Sequence, residues 1–363
     1  MKILVASGSS GGHIFPAMSL LDNLNNESGI ETILVIPSSS RRNNIETAGY
    51  NVVFISVENI GIKPVWRLFT SVFNFMKGTL QSLIILAGFR PDAVVCFGGI
   101  SCVPVLLWAW LFRIRTMIHE QNVIPGRANR FLAAFADKIA VSFPQSISRF
   151  RSNRDKIVVT GNPLRRSIVN VSREKALDFF GFSPEKFTVS AMGGSLGSGR
   201  INQEFSKAIT ISSYRQRLQA IHLCGKSDYD ILKKRYTEVG SDTKLFKFLN
   251  SMHYLYSASD LVICRAGATT ISELIYFKIP AIIIPYPYAY RHQFNNAMIL
   301  QKAGAAVIVE EDELSADILR QMIEDCVNDP QRLLSMRAAY SKIGVSDKGE
   351  LLAKEVLKEL SCR

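Results

Sequence analysis

This chain of 363 residues is short of several things, and each shortage narrows what it can be. No two cysteines stand in a C-x-x-C spacing, and no His, Cys, Asp and Glu residues gather at metal-site intervals, so no metal centre is expected. The six cysteines (Cys96, Cys102, Cys224, Cys264, Cys326, Cys362) mostly fall in apolar strands and read as buried thiols of a reducing cytosol. No apolar run approaches the roughly 20 residues that span a bilayer; the longest, Val103 to Phe112, is about half that. Met1-Lys2 leads straight into a short strand and a glycine turn, so no secretory leader is expected. Acidic residues are few, 31 against 43 Lys and Arg, for a formal charge of +12. The basic excess is spread over both halves, with no basic tail. Such a surface suits a phosphorylated substrate, anionic lipid or nucleic acid, and no recognised nucleic-acid motif is present.

What is there is organised around Leu261 to Gln293. Leu261-Val262-Ile263-Cys264 reads as a buried strand, and Arg265 to Thr270 as a small-residue turn. Ile271, Leu274 and Ile275 follow at helical spacing until Pro280. A second strand, Ala281 to Ile284, and a loop then deliver Arg291, His292 and Gln293. A strand, a tight turn and a helix start make an anion site, because the first helical N–H groups lack internal partners. Small residues from Ala266 to Ala268 admit a phosphate, Thr269 and Thr270 add hydroxyls, and Glu273 can accept from a vicinal diol such as a ribose. Together these describe a nucleoside diphosphate. The stretch alone leaves a second reading open, in which Glu273 only complements the helix dipole and the small residues only pack.

The first half opens similarly. Ile3 to Ala6 is a strand, and Ser7 to Gly12 turns into a helix with Pro16 in its first turn. The G-x-G-x-x-G spacing is missing, since Ser9 and Ser10 separate Gly8 from Gly11. The strand at Ile33 to Ile36 ends in Pro37-Ser38-Ser39-Ser40, with no acid for a ribose. NAD is therefore not expected; Arg41 and Arg42 leave NADP open, but nothing else supports it, and no cofactor is expected. His13, at a helix start, should stay neutral and suits a general base; a solvated capping histidine is the alternative. Further strands run at Ala93 to Phe97 and Thr116 to Ile118, the latter ending in His119-Glu120-Gln121-Asn122. Polar residues at a strand's C-terminal end are where open α/β sheets put their ligands. A helix follows through Asn129, Leu132 and Phe135, then strands at Lys138 to Val141 and Lys156 to Thr160, with a break at Gly161-Asn162-Pro163.

The second half repeats this logic. Phe187 to Met192 is a strand followed by the glycine turn Gly193 to Gly197; Ala220 to Leu223 and Leu245 to Leu249 are further strands. Asp228-Tyr229-Asp230 reads as acids at a helix start rather than a metal site. Two βα halves with matching glycine turns imply a cleft lined by both. Val65 to Ala87 is predicted as a helix whose apolar residues fill about half the wheel. That is more than one sheet face needs. With Trp66, Phe73 and Trp108 and the nearby Arg67, Lys77, Arg113 and Arg115, it suits insertion at an anionic lipid surface; a helix buried on two sides is the alternative.

Taken together, Gly8 to Pro16, His119 to Asn122, Pro125-Gly126, Gly161 to Arg165, Gly193 to Gly197, Cys264 to Glu273 and Arg291-His292-Gln293 fall in the order and spacing of the MurG family. The chain resembles these peptidoglycan N-acetylglucosaminyltransferases over essentially its whole length. The resemblance implies an α/β GT-B glycosyltransferase fold of two Rossmann-like domains, at 1–163 and 164–344, with a helix in 345–363 packing back on the first. The first domain would take the acceptor and the membrane, the second the donor. It implies metal-independent, inverting transfer of GlcNAc from UDP-GlcNAc to the 4-hydroxyl of MurNAc in undecaprenyl-linked lipid I, giving lipid II on the cytoplasmic face of the inner membrane, by a peripheral enzyme. By motif position, Arg165, Ser195, Leu249, Ala268, Thr269, Thr270, Ile271, Ser272, Glu273 and Gln293 would hold the donor, completed by Ser10, Gly11, Gly12 and Asn122. His13 is the first candidate base and Glu120 the second. Rival functions for the same motifs are a diacylglycerol glycosyltransferase, a non-catalytic UDP-sugar-binding protein and an isomerase of UDP-GlcNAc.

Overall fold

The computed structural model describes residues 1–43, 49–57, 65–150, 154–194, 197–288, 292–343 and 349–361, with 41–43 and 65–68 described by their backbone alone. The chain divides into two α/β units, Met1–Arg166 together with Asp347–Arg363, and Ser167–Ser346.

Unit 1 runs β1 (Lys2–Ala6), α1 (Gly11–Leu24), β2 (Glu31–Pro37), β3 (Val52–Ile55), α2 (Val65–Phe89), β4 (Ala93–Cys96), α3 (Cys102–Leu111), β5 (Arg115–Glu120), α4 (Arg127–Leu132), β6 (Lys138–Val141) and β7 (Ile157–Val159). The sheet order is β3-β2-β1-β4-β5-β6-β7, and every neighbouring pair is parallel. A parallel sheet is covered on both faces, which is why its strands are apolar runs rather than alternating ones. Successive residues of β1 enter opposite cores. Leu4 and Ala6 join the layer that includes Val105 and Leu106 of α3, while Ile3 and Val5 join Ile14, Leu20 and Leu21 of α1. The order reverses between β1 and β4, and open α/β sheets carry ligands at the C-terminal ends of strands at such a point.

Unit 2 runs α5 (Arg173–Phe180), β8 (Phe187–Met192), α6 (Gly199–Ile211), β9 (Leu218–Leu223), α7 (Tyr229–Val239), β10 (Thr243–Phe246), α8 (Met252–Ala258), β11 (Leu261–Cys264), α9 (Ala268–Phe277), β12 (Ala281–Ile283), α10 (His292–Ala303), β13 (Ala306–Ile308), α11 (Ala316–Asn328) and α12 (Pro330–Ala339). Its parallel sheet, β10-β9-β8-β11-β12-β13, reverses between β8 and β11. The chain then returns to unit 1 as α13 (Glu350–Ser361), which buries Leu352, Ala353, Val356 and Leu360 in the α1 layer and sets Glu359 3.4 Å from Lys138.

Several expectations shift. Unit 1 extends to Arg166, past the break expected at 163. Strands β3 and β13 have no counterpart in the sequence reading: both are short and only partly buried. Strand β10 ends at Phe246, ahead of the apolar Phe248-Leu249 pair that drew the expectation later. Strand β5 runs on through His119 and Glu120, which pair with Ala140 and Val141. Pro16 is the sixth residue of α1, not in its first turn, and withholds the hydrogen bond that the Gly12 carbonyl would otherwise accept. Cys96, Cys102, Cys224, Cys264 and Cys326 are free and buried; Cys362 lies outside the described residues.

Candidate functional site

In unit 1 the turns after β1 and β4 meet at the switch point. A Cβ on Gly99, which has φ +87°, would lie 2.7 Å from the Gly8 Cα, so only glycine permits this approach. The two turns make a slot for an imidazole: a Cβ on Gly8 would lie 2.9 Å from His13 Nδ1, and one on Gly98 3.3 Å from Nε2. His13 is the third residue of α1, and its Nδ1 lies 2.8 Å from the Ser10 hydroxyl. The residue is half-buried, and desolvation of the ring pushes its pKa down to about 4, so it is neutral at pH 7. Ser10 is thus engaged by His13. Gly11 is crowded by Phe15, and Gly12 is exposed.

Glu120 is buried at the end of β5. Its Oε1 accepts from the Asn122 backbone N–H (2.9 Å) and side-chain amide (3.2 Å). Its Oε2 accepts from Gly126 N–H (3.0 Å) and Asn129 Nδ2 (2.9 Å). Burial pushes its pKa up, and these four bonds oppose the shift. The carboxylate is therefore a clasp for the loop from Asn122 to Asn129, not a base turned toward a substrate. The Asn122 amide is drawn into the same clasp. Asn129 was not singled out by the sequence; the available signal was a polar residue three before Leu132 on the buried face of α4. Arg165, expected in the second domain, belongs to unit 1, with its guanidinium 4.8 Å from the centre of the Phe15 ring.

In unit 2 the corresponding switch point joins the turn after β8 to the turn after β11. Gly197 has φ +81°, and a Cβ there would lie 2.3 Å from the Cys224 carbonyl oxygen. The link is Arg265, a residue given no separate role in the sequence reading although a charge directly after a buried strand is a signal. Its Nη2 donates to Ser198 Oγ (2.7 Å), its Nη1 to the carbonyls of Ile284 (3.2 Å) and Pro285 (3.3 Å), and it pairs with Glu311. Helix α9 starts at Ala268 after Gly267, with no side-chain cap. Thr269 and Thr270 are half-buried there, and the Thr269 hydroxyl is buried with no partner among the described residues. Gln293 Oε1 accepts from the N–H groups of Ala266 (3.1 Å) and Tyr286 (3.0 Å), which leaves its amide nitrogen to offer.

Glu273, one turn further along α9, is 4% exposed and accepts from the Tyr256 hydroxyl at 2.6 Å. Ile271 and Ser272 do not present side chains to this site. Ile271 is wholly in the core, and the Ser272 hydroxyl donates to the Ala268 carbonyl (2.9 Å). Their backbone alone is available. Leu249 is half-buried just beyond β10; Ser195 and Arg291 lie outside the described residues. Asp228 stands at the N-cap position of α7 without a side-chain capping bond, and its carboxylate accepts from Asn202 Nδ2 (2.7 Å).

Helix α2 carries a second surface. Phe75, Gly78, Ser82, Ile85, Leu86 and Phe89 face unit 1. Gly78 is required, since a Cβ there would lie 2.2 Å from Val57 Cγ2. On the opposite side Phe69, Val72, Phe73 (68% exposed), Met76, Leu80 and Ile84 form an exposed apolar stripe. Two expectations change here. First, Phe69–Phe89 is long and apolar enough to cross a membrane by length and composition, although its inner face packs on the unit's own core. Second, Trp108 is not an outward contact. It is half-buried, donates its Nε1–H to the Thr79 carbonyl (3.0 Å) and stacks near Phe112, while Trp110, Leu111 and Phe112 are exposed. The Trp66 side chain lies outside the described residues.

Two parallel-sheet units, each with a glycine turn and a helix start at its switch point, are the architecture of a GT-B glycosyltransferase. Residues 3–141 match the glycosyltransferase family 28 N-terminal domain, and residues 188–352 the family 28 C-terminal domain. The UDP-N-acetylglucosamine--N-acetylmuramyl-(pentapeptide) pyrophosphoryl-undecaprenol N-acetylglucosamine transferase of Halothermothrix orenii is 37% identical over 354 residues, 95% of each chain. That of Thermoanaerobacter sp. (strain X514) is 36% identical over 361 residues, 98% of each chain. Among solved structures, MurG of Acinetobacter baumannii shares the fold with a TM-score of 0.77 at 23% identity, over 98% of this chain and 99% of that one. The chain belongs to this family of N-acetylglucosaminyltransferases.

Proposed function

We propose that the chain transfers GlcNAc from UDP-GlcNAc to the MurNAc 4-hydroxyl of lipid I, forming lipid II with inversion and without a metal ion. The observation that carries the donor half is the start of α9: an N-terminus with no side-chain cap, a buried Thr269 hydroxyl without a partner among the described residues, and a buried carboxylate one turn on. The pyrophosphate sits on the N–H groups of Ala268 to Thr270, the ribose diol on Glu273, the sugar at Gln293, and the uracil near Leu249. Ser195, two residues after Gly193 in the sequence, joins the pyrophosphate by its motif position.

His13 is the base. In the tautomer whose Nδ1–H donates to Ser10, the Nε2 lone pair takes the proton of the acceptor hydroxyl. The hydroxyl oxygen bonds to C1 of GlcNAc as the bond from C1 to the UDP oxygen breaks. The charge left on UDP is stabilised by the α9 N-terminus and by Arg165. Glu120 serves this step by holding the Asn122 loop.

The stripe on α2, with Trp110, Leu111 and Phe112 and the exposed Lys77, Arg90, Arg113 and Arg130, docks peripherally on anionic lipid at the cytoplasmic face of the inner membrane, where lipid I is met. The decisive assay offers radiolabelled UDP-GlcNAc with lipid I and diacylglycerol side by side. Label in the lipid I product is expected. Label only in diacylglycerol, or donor consumed with no acceptor present, would overturn the reading.

A further inference from the structure

We infer that Tyr256 is a positioning residue for nucleotide recognition, acting through Glu273; this rests on the donor reading above. Tyr256 lies on α8 and is 1% exposed. Its ring stacks on Phe277 of α9 at 5.1 Å between centroids, 24° between planes, so the phenol has little freedom. Its hydroxyl donates to Glu273 Oε2 at 2.6 Å, the length of a charge-assisted bond. A carboxylate buried this deeply would otherwise be costly to keep in place. The phenol supplies a donor to the charged form and fixes the carboxylate's torsion. The vicinal hydroxyls of a ribose need a carboxylate held in one orientation, because both donate to it at once. Tyr256 provides that orientation from a neighbouring helix without touching the nucleotide.

Tyr256→Phe keeps the ring stack and removes only the donor. Calorimetry on the full chain would compare UDP with 2′-deoxyuridine 5′-diphosphate, for wild type and variant. Wild type should prefer UDP. In Tyr256→Phe, affinity for UDP should fall roughly tenfold, as expected for loss of one charged hydrogen bond's worth of order. Affinity for the deoxynucleotide should change little, so that the preference shrinks. In turnover, the KM for donor should rise with kcat at saturation unchanged. Glu273→Gln should show the same shrinkage, and adding Tyr256→Phe to it should cost nothing further. An equal fall for both nucleotides, or an unchanged preference, overturns the role of Tyr256 while leaving the donor reading intact. Wild type that binds neither nucleotide, or binds both alike, overturns the donor or ribose assignment and this inference with it.

Discussion

At the scale of single residues, the site depends on what glycine leaves out. His13 occupies space that side chains on Gly8 or Gly98 would take, and that enclosure holds its pKa near 4 instead of 6.5. A base must be unprotonated to act. The acid limb of kcat/KM should therefore fall near pH 4, and a limb at 6.5 would mean the ring is not enclosed as described. His13→Ala should lower kcat by about 10²-fold or more with little change in donor KM, measured at saturating lipid I. In the sequence His13 was a candidate base with a capping histidine left open beside it, and the slot that Gly8 and Gly98 leave for its ring was not legible there. Nor did the sequence reveal that Glu120 is consumed by four donors. A carboxylate's role depends on which N–H groups a loop brings back to it, and Gly126 and Asn129 return only through the fold of the Asn122–Asn129 segment. The pairing of Tyr256 with Glu273 was hidden likewise, since the two lie on different helices.

At the scale of elements, α2 was readable as a helix, and of the two readings its apolar half-wheel left open, burial on two sides is excluded by the exposed stripe. One side packs on unit 1 and the other is exposed. Trp108 was misassigned because neighbours were grouped along the chain. Two positions along a helix turn through about 200°, so Trp108 and Trp110 face opposite ways. The buried central strands were plain from their apolar runs. The edge strands β3 and β13 were not, because strands of only four and three residues, Val52 to Ile55 and Ala306 to Ile308, are too short to tell from a helix segment or a loop. Replacing Phe73 and Met76 together by Glu should abolish sedimentation with anionic vesicles at low salt. Turnover of a water-soluble acceptor should stay the same. Wild-type binding should itself weaken as salt screens the basic rim. Gly78→Ala should destabilise the fold by about 1–3 kcal/mol, read by denaturant unfolding, as the new Cβ meets Val57.

At the scale of the whole molecule, the fully buried His119 and His222 and the half-buried His13 tie stability to pH. His119 donates to the Gly161 carbonyl and accepts from Gln121. His222 lies between Asn202 and the Tyr236 hydroxyl, an arrangement that suits the neutral ring. Burial lowers their pKa values to about 4 and about 3, beside about 4 for His13. Below about 6.5 the unfolded chain takes up protons that the folded chain refuses. This contribution is therefore complete above pH 6.5 and is lost as pH falls toward 4. Glu120, whose pKa is raised, works in the opposite sense. Melting temperature should fall from pH 7 to pH 5. His222→Gln, less stable at pH 7, should decline less steeply over that range.

The return of α13 to unit 1 also sets an order of events during synthesis. Unit 2 is one continuous stretch, whereas the layer around α1 lacks Leu352, Val356 and Leu360 until the ribosome has passed all of unit 2. The inserted unit can fold first, while the earlier-made one waits with an apolar face bare. Nascent chains halted before residue 350 should accordingly yield a protease-resistant fragment from 167–346 and none from 1–166.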